Sequence, residues 1–459
     1  MRLPFADIQG FAVCGYSFPF ARYLLLEILD ERAGQRFVTE LLPLLTDARW
    51  WNDGGPQGAV NIAFTHRGLA SLGVPFGSLS SFPPEFVQGM KARAKLLGDR
   101  GRNAPEHWDA VWHEGVDAWL GVYGRTKNAL EERCGALEQL MVETAGARAR
   151  DSQAAGALFI DGQPTRKEHF GYEDSFGNPA FEGDERGNVP GHGKLTPDGR
   201  WAPLATGEFL LEYPDESGEL PAAPRPHLLA RNGTFMVYRK LHQNVASFRR
   251  YLAEKGRQFP GGAERLAAKL VGRWRDGTPL ELSPDRMDPE IASSRERNTD
   301  FTYGADPDGA LCPLGAHIRR TNPRDAAGFR SRLADRHRII RRGLPYGSYV
   351  PESGQAEDHE ERGTIFIALN ASLARQFEIV QRQWVEDGND VRQGNDRDPI
   401  TGDHSDRRRF VIQGDDDPRN PPFLCGRLPT FVEMRGGDYF FVPSMTALRM
   451  IGAGAVDER

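Results

Sequence analysis

The 459-residue chain lacks the features that mark several large classes of protein. Its four cysteines, Cys14, Cys134, Cys312 and Cys425, are widely spaced and form no Cys-x-x-Cys pair, so a disulfide framework is not expected. No apolar run approaches the roughly 18 residues that a membrane-spanning helix needs. The net charge of −6 provides no general attraction to nucleic acid or to an anionic membrane. We therefore expect neither as a partner.

The N-terminus also lacks a recognisable targeting segment. Asp7 interrupts it early, and no long apolar core follows Arg2. This pattern predicts neither a secretory nor a twin-arginine signal. Together with the cysteine pattern it favours a cytoplasmic protein, with secretion after removal of a leader as the alternative.

The first part of the chain alternates strand-like and helix-like segments. Its length predicts two or three domains, and an apolar content of 39% with 26 phenylalanines is enough for sizeable cores. Two strand–helix–strand units in succession indicate a ferredoxin-like α+β arrangement. The predicted strands are Arg22–Leu29, Val60–Phe64, Trp119–Tyr123 and Ala157–Ile160, and the predicted helices are Ala33–Leu45, His66–Leu72 and Leu130–Thr144.

A belt rich in Gly, Pro, Asp and Asn follows over residues 161–201, and loops of this length are usually functional or disordered. The α+β pattern then restarts. The sequence therefore predicts two similar halves, which we assign to residues 1–200 and 201–459. The second half has predicted strands at Glu208–Tyr213, Thr234–Arg239, Thr364–Leu369 and Tyr439–Val442, and predicted helices at Val245–Lys255, Glu264–Trp274 and Leu373–Val385.

The segment from Cys312 to Arg324 contains one histidine, His317, among small residues, followed by arginines and an Asn-Pro turn. Small neighbours let a flat, bulky group approach the backbone, and a neutral imidazole is a common ligand for haem iron. A lone histidine of this kind is more often an ordinary hydrogen-bonded side chain. Cys312 is an alternative ligand as a thiolate, although its neighbours lack the glycine-rich loop that such ligands usually occupy.

Asp174 stands in a glycine-rich loop that ends in Asn178-Pro179. Cleavage of a bound peroxide needs a group that takes a proton from one oxygen and returns it to the other. A carboxylate beside a haem could do this, with Gly171 and Gly177 allowing a close approach. The alternative is an aspartate that caps a turn, as in many such loops.

Arg341 belongs to a group of arginines that includes Arg330, Arg332, Arg336, Arg338 and Arg342. A fixed guanidinium beside a peroxide stabilises the negative charge that develops on the departing oxygen. The alternatives are a solvated basic face and a nucleic-acid patch. The turn that follows, Gly343-Leu344-Pro345, favours a fixed position for at least one of these arginines.

Taken in this order, the segments resemble those of dye-decolorizing peroxidases over nearly the whole chain. The similar blocks are Asp7–Gly10, Phe170–Pro179, Cys312–Arg324, Arg341–Gly347, Arg375–Trp384 and Arg435–Pro443. The resemblance implies two ferredoxin-like domains with antiparallel sheets in a barrel-like arrangement. It also implies haem b, held mainly by the C-terminal domain.

The same resemblance implies roles for particular residues. His317 would be the proximal iron ligand, Asp174 the distal acid–base residue and Arg341 the distal arginine. Phe366 would shape the distal pocket, and Arg319 is a further expected contact of the cofactor.

Further expectations concern neighbouring residues. Asp398 is the candidate carboxylate that braces the far nitrogen of His317. Tyr346 and Trp384 are candidate surface sites for electron transfer from bulky donors, although the apolar helical stripe around Trp384 favours core packing for it. Ser175 replaces the final glycine of the family motif, and we expect it to alter the reaction with peroxide. Stopped-flow comparison with Ser175→Gly would test this.

The expected function is a haem-dependent peroxidase that reduces hydrogen peroxide and oxidises dyes, phenols or other bulky aromatic donors by one-electron steps. The residues alone leave two other functional interpretations open. One is a protein that stores, transports or strips haem with little turnover, and the other is a basic-patch interaction protein without haem. The expected oligomeric state is a monomer or a homodimer.

Overall fold

The computed structural model describes residues 2–49, 55–174, 176–184, 187–326, 332–406, 409–414 and 421–457. The first half contributes four antiparallel strands, β1 Phe20–Ile28, β2 Gly58–Phe64, β3 Ala118–Gly124 and β4 Ala147–Gly156. Their spatial order is β2-β3-β1-β4. Strands β2 and β3 lie in the middle of the sheet and are buried along their whole length, which explains their continuous apolar sequences.

Two of the three longer helices of the first half begin at a side-chain cap. The Asp30 carboxylate accepts a hydrogen bond from the Ala33 backbone N–H at 3.0 Å, and the Thr126 hydroxyl accepts one from Ala129 at 3.1 Å. The three longer helices are α1 Glu31–Leu41, α2 Pro84–Leu97 and α3 Lys127–Thr144. Short α-helical turns lie at Gly10–Val13, His66–Ser71, Phe76–Ser80 and Val111–Glu114.

The strands of the second half are β5 Thr234–Gln243, β6 Ile340–Arg341, β7 Leu344–Tyr346, β8 Gly363–Asn370 and β9 Val432–Val442. The short strands β6 and β7 both pair with β8, and the order continues β8-β5-β9. This is the strand order of the first half, with β6 and β7 together in the place of its second strand. The helices are α4 Val245–Gly256, α5 Gly262–Val271, α6 His317–Thr321 and α7 Met445–Gly452, with short turns at His227–Ala230, Pro289–Ser293 and Arg332–Asp335.

The two halves meet where Phe441 of β9 pairs with Phe64 of β2, which joins all nine strands into one sheet. At the other side β7 approaches β4, so the sheet curls toward a barrel. The predicted α+β class with two ferredoxin-like antiparallel units is confirmed. The division into residues 1–200 and 201–459 stays a prediction.

Three predicted elements of secondary structure differ in the structure. The fourth strand is Ala147–Gly156, whereas Phe159–Ile160 forms only a short hairpin with Gln163–Pro164. This edge strand was missed because its charged, mostly exposed side chains carry no apolar pattern. The apolar segment predicted as a strand at 208–213 is a turn that follows a 3-10 helix, and its leucines pack into the core without pairing.

The predicted helix at 373–385 winds as two π-helical segments, Ala374–Glu378 and Val380–Val385. The Glu378 backbone N–H donates to the carbonyl five residues earlier, at Leu373, over 2.9 Å. Within the described ranges, no helix is both long and apolar enough to cross a membrane.

Candidate active site

His317 is the first residue of helix α6 and lines a cavity whose surface is largely apolar. Its Nδ1 lies 3.0 and 3.1 Å from the two carboxylate oxygens of Asp398. Its Nε2 has no hydrogen-bond partner among the described residues, and 29% of the side chain is accessible. The imidazole is therefore held from one side and presents its second nitrogen to the cavity.

Asp398 is fully buried and is held by its own turn. One oxygen accepts hydrogen bonds from the backbone N–H groups of Ile400 and Thr401 at 2.9 and 2.8 Å. Burial raises the pKa of this carboxyl, but the charge of His317 and these donors outweigh burial and lower the pKa overall. In turn, burial lowers the pKa of His317, and Asp398 reverses this to give a raised pKa. The contact expected between these two side chains is present.

The segment that carries Asp398 is held by Arg320, whose role its sequence context does not reveal. Arg320 is fully buried, and its guanidinium donates to the carbonyl oxygens of Gly315 at 3.1 Å, Trp384 at 2.9 Å and Asp396 at 2.8 Å. These bonds tie helix α6 to the segment that leads into Asp398. Residue type alone does not reveal such a role, because most arginines are exposed.

Asp174 and Arg341 lie on another wall of the same cavity. Strand β6 fixes the backbone of Arg341 by pairing it with Ala368. The Arg341 Nη1 donates to Asp174 Oδ1 at 2.9 Å, and Nη2 donates to the Phe176 carbonyl at 2.8 Å. Both side chains are half-exposed, at 37% for Arg341 and 51% for Asp174. The structure thus brings these two predicted residues together at the edge of the cavity.

Between these walls the cavity is largely apolar, and Phe366 of β8 lines it as expected. The Phe366 ring packs 6.2 Å from that of Phe377. Such a surface suits a flat aromatic cofactor. The apolar lining residues are Phe170, Phe176, Leu241, Val271, Phe301, Ile318, Ile339, Phe366, Phe377, Val380, Val385, Ile400, Val432 and Met434.

Three buried arginines, Arg273, Arg324 and Arg338, also line this cavity. No carboxylate of the described residues lies within 4.0 Å of their guanidinium groups. Burial and the nearby Arg324 guanidinium lower the pKa of Arg273 to about 9 and that of Arg338 to about 10. Burying like charges without counter-charges is costly, so the site fits a ligand that carries carboxylate groups.

Two other expected participants face elsewhere. Arg319 does not line the cavity: its guanidinium bonds Asp306 Oδ2 at 2.9 Å and the Cys312 carbonyl at 2.6 Å, and it lies over the Tyr303 ring. The prediction that it contacts the cofactor is not met by this geometry. Cys312 is also outside the lining, and burial raises the pKa of its thiol to about 12. The geometry therefore favours His317 over Cys312 as the ligand.

The candidate electron-transfer residues are both buried. Tyr346 is 5% exposed, which contradicts its expected place at the surface. Trp384 is 3% exposed, and its ring packs edge-on to His337 at 5.2 Å, in keeping with the preferred core role. Ser175 lies outside the described residues.

The arginine group does not form a basic surface patch in the described part of the chain. Arg336 pairs with Asp215 at 3.0 Å, Arg338 is buried, and Arg342 donates to the carbonyl oxygens of Phe11 and Val13. Arg330 lies outside the described residues. The cluster therefore serves internal contacts, and the nucleic-acid alternative receives no support from it.

Known proteins share this architecture. The family model "DyP dimeric alpha+beta barrel domain" matches residues 7–152, and "Dyp-type peroxidase, C-terminal" matches residues 227–395. A dye-decolorizing peroxidase of Mycena epipterygia is 31% identical, over 91% of this chain and 81% of the relative.

Solved structures agree over nearly the full length. An ancestral D-type dye-decolorizing peroxidase has a TM-score of 0.84 at 28% identity, covering 98% of this chain and 99% of the other. A dye-decolorizing peroxidase in complex with 2,6-dimethoxyphenol has a TM-score of 0.82 at 25% identity, covering 98% and 100%. The family models, the similar sequences and the fold agree, and the chain belongs to the dye-decolorizing peroxidase family.

Proposed function

We propose that this chain reduces hydrogen peroxide at a haem b bound beside His317 and oxidises dyes, phenols or other bulky aromatic donors by one-electron steps. Membership of the dye-decolorizing peroxidase family makes it a haem-dependent oxidoreductase. A relative of the same fold binds 2,6-dimethoxyphenol. The observation that carries the proposal is that the Asp174–Arg341 pair lines the same cavity as His317.

The residues of the cavity suit such a cofactor. Haem would supply an iron centre that peroxide can oxidise by two electrons and that aromatic donors can reduce again one electron at a time. His317 Nε2 would hold the iron, since Nδ1 is engaged by Asp398. Arg273, Arg324 and Arg338 would hold the carboxylates of the porphyrin. Haem b is favoured because the chain has no Cys-x-x-Cys-His segment for covalent attachment.

Asp174 would act as the acid–base group of the peroxide reaction. Its carboxylate takes a proton from one oxygen of hydrogen peroxide and returns it to the other oxygen, which leaves as water. Arg341 donates hydrogen bonds to that departing oxygen and stabilises its negative charge. The half-exposure of the pair lets Asp174 exchange protons with solvent between turnovers.

Donors too bulky for the cavity need an oxidisable side chain near the surface. Five of the described tryptophans are buried, and Trp201 is the remaining one. The Arg324 guanidinium lies 5.7 Å from the Trp201 ring and 4.0 Å from the Phe301 ring, and both Arg324 and Phe301 line the cavity. Trp201 Nε1 donates to Asp300 Oδ1 at 2.7 Å. Trp201 would thus pass electrons inward while Asp300 accepts the indole proton.

A haem storage or iron-release protein is the alternative function. It would need His317 and the buried arginines but neither Asp174 nor Arg341. The direct Asp174–Arg341 contact at the cavity favours the peroxidase. Peroxide-dependent turnover separates the two functions.

The proposal is tested by reconstitution with hemin and by dye bleaching with hydrogen peroxide. Asp174→Asn should keep the Soret band and lose most of the bleaching. Asp198→Asn is a matched control, because Asp198 is also half-exposed and paired with an arginine, Arg200, but does not line the cavity. Full bleaching by Asp174→Asn would contradict the proposal, and a colourless reconstituted chain would contradict haem binding itself.

The remaining assignments are finer. Hydrogen peroxide and aromatic donors are the proposed small-molecule partners, with the chain as a monomer or a homodimer. No disulfide joins the four cysteines in the described part of the chain, in keeping with the cytoplasmic location expected from the sequence.

A further inference from the structure

The Asp174–Arg341 pair needs support from outside itself. Both side chains are half-exposed, and exposed ion pairs contribute little to stability. Asp174 also lies on a loop, where backbone motion is expected to be largest. A catalytic pair must nonetheless keep a narrow geometry. Other contacts of the loop must therefore provide its rigidity.

One such contact is made by Glu168, six residues before Asp174 in the same loop. Its Oε1 accepts the backbone N–H of Tyr172 at 2.9 Å, and its Oε2 accepts that of Phe170 at 2.9 Å. A third donor, Gln243 Nε2 of β5, reaches Oε2 at 2.5 Å. The loop is thus wound around one carboxylate that is tied to the sheet. Hydrogen bonds to a charged acceptor contribute more than neutral ones.

Backbone bonds close the same turn. The Glu168 N–H donates to the Tyr172 carbonyl at 3.0 Å, and the Gly171 N–H donates to the Glu168 carbonyl at 2.9 Å. Gly171 has a φ of +96°, a backbone conformation that residues with a side chain rarely adopt. The Asp174 N–H then donates to the Arg166 carbonyl at 2.9 Å. The backbone path from Glu168 to Asp174 is therefore fixed at several points.

Asn178 makes the matching contact on the other side of Asp174. Its Oδ1 accepts the backbone N–H of Arg341 at 2.8 Å, and its Nδ2 donates to the Arg341 carbonyl at 3.3 Å. A single side-chain amide thus pairs with both backbone groups of Arg341, as a neighbouring strand would. This contact joins the end of the loop to strand β6. The motif Asn178-Pro179 thereby gains a structural role.

We propose that Glu168 and Asn178 are positioning residues that hold the loop at both ends and so keep Asp174 against Arg341. Glu168 fixes the approach to Asp174, and Asn178 fixes the loop to the backbone of Arg341. The inference rests on the proposed roles of Asp174 and Arg341 in the peroxide reaction.

The test compares Glu168→Gln and Asn178→Ala with the unchanged holoprotein. Glutamine keeps the size of Glu168 but has one acceptor oxygen for three donors. Asn178→Asp keeps the acceptor for the Arg341 N–H and loses the donor to its carbonyl. Glu219→Gln is the control, since Glu219 is exposed and its side chain makes no hydrogen bond or ion pair with the described residues of the loop. Haem content and the Soret band report whether each variant has folded around its cofactor.

The first readout is amide hydrogen exchange in peptides that span residues 166–178. We expect exchange at Phe170 and Tyr172 to be roughly tenfold faster or more in Glu168→Gln, the loss expected for hydrogen bonds to a charged group. The second readout is the rate of the reaction with peroxide, which should fall in Glu168→Gln and Asn178→Ala and less in Asn178→Asp. Glu219→Gln should change neither.

Two results would overturn the inference. One is unchanged exchange of the loop in Glu168→Gln and Asn178→Ala. The other is a loss of peroxide reactivity without faster exchange, because a substitution that acts through the loop must also make the loop more mobile. If Asp174→Asn keeps full peroxide reactivity, the proposed function fails instead, and exchange alone then decides whether the two side chains hold the loop.

Discussion

The two walls of the cavity are built differently. On one wall Asp398 is fully buried and accepts hydrogen bonds from His317 and from its own turn. On the other wall Asp174 and Arg341 are half-exposed and form an ion pair. A metal ligand needs a fixed orientation, whereas an acid–base group must exchange protons with solvent. The difference indicates a division of work between a rigid binding wall and an accessible reactive wall.

The largest expected effect breaks the accessible wall. Asp174→Asn removes the proton acceptor while keeping the shape of the side chain. Loss of general acid–base catalysis typically costs about 10²–10⁴-fold, so the peroxide reaction should slow by that order in stopped-flow measurements. Haem content should stay unchanged, because the wall around His317 is untouched. Loss of haem from Asp174→Asn would contradict the assignment of haem binding to one wall and the peroxide reaction to the other.

A second experiment compares a buried histidine on each side. His169 lies in the loop that carries Asp174, and the His404 ring bonds the Asp398 carbonyl at 2.9 Å. Burial lowers the pKa of each histidine from 6.5 to about 4. The unfolded chain binds these protons more readily between pH 4 and 6.5, so the free energy of unfolding falls as pH decreases through that window. Each histidine should contribute at most about 3 kcal/mol.

Denaturant unfolding of the holoprotein at several pH values would measure this dependence. His169→Gln and His404→Gln keep a donor for the bonded carbonyl but do not titrate in this range. Each should make the slope of stability against pH shallower between pH 4 and 6.5. A slope equal to that of the unchanged protein would argue that the histidine titrates normally in the fold.

The rigid wall is tested by Asp398→Asn. This change keeps the size of the side chain and removes the charge that faces His317 Nδ1. Removal of such a partner usually costs about 10–100-fold in metal affinity or activity. Hemin titration should show weaker binding, with a smaller effect for Asp403→Asn, whose carboxylate does not touch His317. Equal affinity for hemin in both variants would mean that burial alone holds the imidazole.

The smallest effect concerns the route of electrons from bulky donors. Trp201→Phe should slow the oxidation of large dyes and leave small phenols unaffected, because only large donors depend on the surface ring. Tyr346→Phe should have little effect, since Tyr346 is 5% exposed. Steady-state rates with one large and one small donor would measure this. The reverse pattern would return Tyr346 to the route and remove Trp201 from it.

The sequence predicted much of this site because its motifs are local. His317, Asp174, Arg341 and Phe366 come from separate segments, and the structure brings them to one cavity. The bracing carboxylate, Asp398, was also found, since a ligand histidine usually has such a partner.

The missed features depend on burial, which one sequence does not reveal. Arg273 and Arg324 line the cavity without carboxylate partners, yet their residue type suggests the surface. For the same reason Tyr346 was expected at the surface and Arg319 at the cofactor. Strand β4 was missed because an exposed edge strand can have almost any polar sequence.

The central claim is that His317 binds the iron of a haem while Asp174 and Arg341 act on peroxide. The most direct test is the absorption spectrum of hemin-reconstituted His317→Ala beside that of Asp174→Asn. If His317 holds the iron, Asp174→Asn should keep the spectrum of the unchanged protein, whereas His317→Ala should lose it and regain it when imidazole is added. An unchanged, tightly bound pigment in His317→Ala would show that His317 is not the ligand.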